Sequence, residues 1–432
     1  MNRITCIPLL ALTLAACQDA TGPQGVERTP PSPLFSLAAG TETPITTDPA
    51  DQYAPAISGD RIVWTDSRNG NGDIYMFDLA TGIETRITTD PALQANPDIA
   101  GDRIVWTDLR NGSPYSFWGD IYMYDLATGI ETRITTDPAL QRNPAISGDR
   151  IVWEDWRNWP AHSYWGDIYM YDLATGIETR ITTDPASQFD AAIAGDRIVW
   201  QDRRMRDDDI YMYDLATGIE TRITTHPWGQ GAPRISGDRI VWQDNRNGPF
   251  DIYMHDLATG AETRITMDPK AAEPDISGDR IVWTDYRNGA FDIYMFDLAT
   301  GTETQITTDP AAQRDPAISG DRIVWWDSRN GNRDIYMYEL DLEPAEAIQA
   351  IADRVDAYQI DRSIKNQGIA ESLRAFLRQA EDALGRGDTD KAVRSLNKFI
   401  DQVGKKIPSH ITPAAGQTLI DAAQAVIDQL TS

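Results

Sequence analysis

Cysteine is almost missing from this chain: Cys6 and Cys17 are the only two in 432 residues. Both sit near the N-terminus, so no disulfide staples the rest, and stability must come from packing, which a chain of this length can supply. Histidine is scarce too. His162, His226, His255 and His410 are scattered without metal-ligand spacing, which removes a histidine-built metal centre. No Gly-x-Ser-x-Gly elbow occurs, and with it goes the hydrolase domain that accompanies peptidase propellers. The apolar run from Ile7 to Leu14 is too short to span a bilayer as a permanent helix. Bases are outnumbered, with 39 Lys and Arg against 66 Asp and Glu, a formal net charge of −27. The excess is concentrated in residues 41–344, which carry 52 acids against 26 bases. Such a surface repels phosphate backbones and anionic headgroups, so nucleic acid is not expected as a partner. Cations, basic proteins and neutral sugars remain.

Arg3, the short apolar stretch and Leu14-Ala15-Ala16-Cys17 make residues 1–17 an export signal. Its end resembles a bacterial lipobox, in which the Cys17 thiol is lipidated and becomes the new N-terminus. An ordinary secretory signal with an incidental Cys is the alternative. Gln18 follows, so the Asp that marks inner-membrane retention is absent there, and an outer-membrane lipoprotein is the expectation. Residues 18–40, with Thr-Gly-Pro-Gln-Gly and Thr-Pro-Pro-Ser-Pro, read as an extended or disordered tether.

What the chain has in abundance is one sentence repeated. Gly-Asp-Arg-Ile-Val-Trp begins at Gly59, Gly101, Gly148, Gly195, Gly237, Gly278 and Gly320. Asp-x-Arg and then Asp-Ile-Tyr-Met follow each copy, and Leu-Ala-Thr-Gly completes all but the last. Short apolar runs punctuated by Gly, Asp and Asn at this period are the signature of propeller blades. In the first unit, Pro55-Ala56-Ile57-Ser58 predicts the innermost strand and Gly59-Asp60 a two-residue turn. Arg61–Trp64 and Asp73–Leu79 carry bulk on both faces, as strands pressed between two blades must. Ile83–Thr88 alternates at period two and reads as a half-exposed outer edge. The last unit lacks a fourth strand, whereas Glu42-Thr43-Pro44-Ile45-Thr46-Thr47 is a fourth strand without a blade. Residues 41–343 therefore predict a mainly β fold, a seven-bladed propeller closed by its N-terminal strand.

Asp-Ile-Tyr-Met-Tyr-Asp-Leu-Ala-Thr-Gly followed by Thr-Arg-Ile-Thr-Thr resembles the WD40-like repeat of the TolB propeller family, over about residues 41–341. The resemblance implies a periplasmic, protein-binding propeller. The α/β domain that precedes the propeller in that family is replaced by the Pro-rich tether. Past Pro344, apolar stripes at helical spacing predict a small all-α domain of four helices over residues 344–432. They are headed by Ile348 and Ile351, by Ile369 and Leu373, by Leu396 and Phe399, and by Leu419 and Val426, and Gly404 is expected to stop the third helix. Gly387-Asp388-Thr389-Asp390-Lys391-Ala392, with Phe399-Ile400-Asp401-Gln402-Val403, resembles the FIMAH domain of bacterial surface and secreted proteins.

A residue pair present in every blade, such as Asp66 and Arg68, is expected to be architectural. Function is expected where the repeat breaks. Blades two and three carry longer loops with Tyr115, Phe117 and Trp118, and with Trp159, Tyr164 and Trp165, which predict an aromatic binding patch. The position before each predicted innermost strand holds Asn96, Asn143, Asp190, Glu273 and Asp315, with Ala in the other two blades. These should ring the channel mouth, where Ca²⁺ is the candidate ligand. No catalytic residue or cofactor is assigned. The functional expectation is a non-enzymatic, monomeric envelope lipoprotein binding a protein or a glycan. The alternatives are a polysaccharide-active glycoside hydrolase or lyase, and a structural spacer.

Overall fold

The computed structural model describes residues 36–37, 40–112, 119–158, 166–205, 207–267, 270–340, 344–360 and 362–431. Seven antiparallel sheets form a propeller. Blade one comprises strands Gln52–Ser58, Arg61–Asp66, Asp73–Asp78 and Ile83–Arg86, and the pattern recurs through blade seven, Gln313–Leu340. Packing explains the repeat. Ile62, Val63 and Trp64 are fully buried, with Tyr75 stacked on Trp64 at 6.2 Å between ring centroids. Ile62, Trp64 and Tyr75 face the previous blade, packing on Val324, Ile335 and Met337. Val63, Ile74 and Met76 face the next, packing on Trp106 and Tyr122. Each blade thus presents an aromatic face to one neighbour and an aliphatic face to the other.

The ring closes as its sequence implies. Gly40–Pro44 pairs antiparallel with Leu340–Tyr336 and supplies the missing fourth strand of blade seven. Arg61 Nη1 donates to Gly101 O at 3.0 Å and to Asp102 Oδ1 at 2.6 Å on the next blade. The same bond from Arg322 to Asp60, at 2.7 Å, joins the last blade to the first. Gly-Asp-Arg is therefore a hoop around one face of the propeller.

Three details differ from the sequence reading. Innermost strands begin at Gln52 and its equivalents, before Pro55. Outer strands Ile83–Arg86 are exposed on both faces, with Ile83 57% exposed, because blades splay apart away from the axis and the neighbour no longer reaches them. Within the segment read as tether, Ser36–Leu37 adds a fifth, parallel strand to blade six against Thr304–Gln305.

Four helices follow: α1 Pro344–Ile360, α2 Gln367–Leu384, α3 Thr389–Lys406 and α4 Pro413–Thr431. Their stripes meet in one core around Val355, Leu373, Leu396, Phe399 and Leu419. Asp388 caps α3 by accepting from the Lys391 amide at 3.0 Å. That helix runs through Gly404 to Lys406, since one exposed Gly costs only about 1 kcal/mol and packing of Phe399 and Val403 outweighs it. On the Gly-Asp-Arg face, Arg280 Nη2 donates to Glu346 Oε2 of α1 at 3.3 Å, and Arg354 lies 3.9 Å from Asp60. The helical domain is therefore tied to that face.

Candidate binding face

The repeated acid and base belong to the frame. Asp66 is fully buried; its carboxylate accepts from Trp64 Nε1 at 3.0 Å and from Arg68 N and Nε, both at 2.9 Å. Arg68 then reaches Glu84 on the outer strand at 2.6 Å and lies over the Tyr75 ring at 4.3 Å. Asn69 donates to Asp73 and to the Tyr75 hydroxyl, each at 2.9 Å. A buried carboxylate with this many donors is neutralised where it stands. It holds the loop to its own blade and leaves no lone pair for substrate.

That loop lies on the face opposite the Gly-Asp turns, together with the links between blades. The channel opens there. Ala54, Asn96, Asn143, Asp190, Ala232, Glu273 and Asp315 all have φ between 49° and 55°. They lie inside the innermost strands, at a β-bulge, and not before them as the sequence suggested. Left-handed backbone costs a non-Gly residue about 1 kcal/mol. Its repeated partner is a hydrogen bond to the previous blade: Asn96 N donates to Thr65 Oγ1 at 3.2 Å, Asn143 N to Thr107 Oγ1 at 3.0 Å and Asp190 N to Glu154 Oε1 at 3.1 Å.

The mouth side chains are bound to one another. Asn96 donates to Asn143 at 2.9 Å, and Asn143 to Glu154 at 3.0 Å; Glu154 also accepts from Arg142 at 2.9 Å. Across the ring Glu273 pairs with Arg314 and accepts from Thr284 at 2.8 Å, while Trp326 Nε1 donates to Asp315 at 3.1 Å. Burial raises the Asp190 and Asp315 carboxyls above the usual range, with Glu154 and Glu273 respectively adding to the effect.

Deeper in the channel lie three charges that inspection of single motifs missed. Asp98, Arg234 and Asp275 occupy a column filled elsewhere by Ala56, Ala145, Ala192 and Ala317. Reading that column across the repeat would have found them. Asp98 accepts from the Ile99 amide and from the Ile146 amide of blade three, both at 2.8 Å; Asp275 accepts from Ile318 of blade seven at 2.9 Å. Burial pushes the Asp98 carboxyl up to about 6 despite those two amides; Asp275 adds to the rise and Arg234 opposes it. Being raised above its unfolded value, this group contributes stability that is present below about pH 4 and lost as pH climbs through about 6. Asp98→Asn, neutral throughout, is expected to remove up to roughly 2–3 kcal/mol of pH dependence across that window. Melting curves at a series of pH values check this; a variant that titrates like the wild type contradicts it.

The same face carries apolar departures. Trp228 stands in the blade link where Ala50, Ala92, Ala139, Ala186 and Ala311 stand, and Met267 where Thr89 and Thr136 do. Phe250 and Phe291 replace Gly72, Gly119 and Gly166. The six aromatic residues singled out from sequence, Tyr115, Phe117, Trp118, Trp159, Tyr164 and Trp165, lie outside the described residues, as does Cys17.

Comparison with known proteins bears on fold and domain. Residues 348–428 match the FIMAH domain. No curated protein is significantly similar to the chain. Among solved structures, an oligogalacturonate lyase in complex with manganese aligns at 14% identity and TM-score 0.54, covering 73% of this chain and 97% of its own. An oligogalacturonate lyase from Vibrio parahaemolyticus aligns at 12% identity and TM-score 0.56, covering 70% and 95%. A putative TolB from Agrobacterium tumefaciens aligns at 16% identity over 69% and 93%, with a TM-score of 0.39. At such identities the fold is what is shared. The chain is a seven-bladed β-propeller followed by a FIMAH domain, with TolB among its structural neighbours. Among the described residues no group of three or more His, Cys, Asp or Glu side chains is placed to hold a metal ion. No helix among them is long and apolar enough to cross a membrane.

Proposed function

We propose that the chain is a non-enzymatic cell-envelope lipoprotein, anchored to the outer membrane through Cys17, whose propeller binds a protein or a glycan on its loop face. One observation carries the reading. Buried frame and Gly-Asp turns repeat almost without change, whereas the departures gather around the mouth and on the links beside it. Selection for stability alone gives no reason to place Trp where Ala serves five other links, or Met where Thr serves its equivalents. The acid–base pairs that resemble catalytic groups are bound into the frame. A monomer suffices for such a scaffold, and no cofactor enters the proposal.

A polysaccharide-active enzyme is the second reading. The elevated Asp98 carboxyl in the channel and the lyase neighbours favour it. A panel of purified envelope proteins and neutral and acidic oligosaccharides, probed with the soluble chain from Gln18, separates the two. Saturable binding without turnover is the expected result. Cleavage of oligogalacturonate that disappears in Asp98→Asn would replace the scaffold reading with the enzymatic one. Cys17→Ser is expected to move the protein from the membrane to the soluble fraction; unchanged fractionation refutes the anchor.

A further inference from the structure

Among the described residues, the large side chains that the fold leaves in water are few, and they are not scattered. Apart from the Ile residues on the outer edges of blades, they are Met205, Trp228, Phe250, Met267 and Tyr286, exposed by 52, 57, 38, 50 and 36%. All lie on the loop face, and they follow one another around blades four to six. Met205 ends the second strand of blade four at its loop end, Trp228 is in the link from four to five, Phe250 in the loop of five, Met267 in the link from five to six, and Tyr286 in the loop of six. Backbone bonds lace these segments together. Asn245 N donates to Gly229 O at 3.2 Å, Ala271 N to Phe250 O at 2.8 Å, and Tyr286 N to Lys270 O at 3.2 Å. The result is an apolar crescent on rigid supports, curving beside the acidic mouth of Asp190, Glu273 and Asp315.

We propose that this crescent and mouth together bind a basic, apolar segment of a partner protein, its hydrophobic side chains on Trp228, Phe250 and the two methionines and its Lys or Arg groups over the mouth carboxylates. The inference rests on the binding-scaffold reading and names the partner's chemistry. Two features select a protein segment over a glycan. Met205 and Met267 are flexible thioethers that mould to apolar side chains and offer no flat face for a sugar ring. At the mouth and in the channel Asp98, Glu154, Asp190, Asp275, Glu273 and Asp315 face Arg142, Arg234 and Arg314, an acidic excess that attracts cations and repels uronates, and the propeller's acidic surface steers the same choice at longer range. Tyr286 already holds one ammonium group, Lys270 Nζ, 5.9 Å from its ring centre.

The repeat itself supplies non-disruptive variants. Trp228→Ala and Met267→Thr restore residues that the frame accepts in the other links, so the fold should survive both. The probe is a short labelled peptide alternating Lys or Arg with Leu and Phe, titrated into the soluble chain and followed by anisotropy. A second peptide carries Glu in place of each base, and a neutral oligosaccharide forms the third arm. The basic peptide is expected to bind, to weaken as salt rises, and to lose about 30-fold or more in affinity in the double variant. The acidic peptide is expected not to bind. Equal binding of both peptides, or a double variant of unchanged affinity and melting temperature, overturns the proposal. Binding of the oligosaccharide alone, sensitive to Trp228→Ala, also overturns it while leaving the scaffold standing. Absence of binding in every arm, together with a ligand from the envelope panel that ignores both substitutions, removes the crescent as a site but not the scaffold. Turnover in that panel removes the scaffold itself.

Discussion

Deletion of residues 40–46 is expected to lower the melting temperature more than any other small change in this protein. The segment supplies the fourth strand of blade seven, where it pairs with Tyr336–Leu340. Its loss uncovers Met337, Tyr338 and Leu340, now 5, 6 and 8% exposed, and removes Ile45 from the core shared by blades one and seven. Glu42 also leaves Arg329, which it accepts from at 2.5 Å, and Thr46 leaves the Ile335 amide at 2.8 Å. Burial at about 1.5–3 kcal/mol per large apolar side chain puts the cost on the order of 5 kcal/mol. A domain of this size should then melt roughly 10–20 °C lower. Calorimetry of the deletion variant reads it directly. An unchanged midpoint would show that the circle is closed some other way.

Nearly as large an effect is expected from Asp155→Ala in the frame of blade three. The carboxylate is fully buried and accepts from Trp153 Nε1, Arg157 N and Arg157 Nε, each at 2.9 Å. Removing it leaves an indole N–H and a half-buried guanidinium without their acceptor. Breaking a buried pair from one side costs about 3–5 kcal/mol. Asn143→Ala, which removes a side chain at the wetter mouth, should cost about 1 kcal/mol or less by comparison. Urea denaturation of the two variants side by side gives both values. Were Asp155→Ala as mild as Asn143→Ala, the Asp-x-Arg pairs would no longer be frame, and a role with ligand would have to be sought for them.

The two variants mark where the sequence was legible. Trp64, Asp66 and Arg68 recur in every blade, so their contacts are dictated by neighbours that also recur, and a repeat can be read as a solid. The closing strand was legible for the same reason: Glu42 and Ile45 fit a column that blade seven leaves vacant. The mouth was legible only in part. Asn96, Asn143, Asp190, Glu273 and Asp315 were found as a column, but their left-handed backbone and inward bulge depend on hydrogen bonds to the previous blade, which no local pattern records. Asp98, Arg234 and Asp275 were missed because each sits in an ordinary strand; only their difference from Ala at the same position betrays them. Trp228 lies outside the loops that the repeat's length marks out, and its exposure follows from the small residue it replaces on a link already bound at both ends. The outer strands misled by their alternation, since period two implies a buried face only where a neighbour is near enough to cover it.

The central claim is that one face of this propeller recognises a ligand while the rest is frame. Hydrogen–deuterium exchange of the soluble chain, with and without a saturating ligand from the envelope panel, tests it most directly. The account predicts slowed exchange at the loops and links around residues 203–208, 226–230, 245–251 and 286–291, and at the mouth near Asp190 and Asp315. Exchange at the Gly-Asp turns of the opposite face, around Asp60 and Asp102, should stay as it was. Protection of those turns, with the loop face unchanged, would contradict the account.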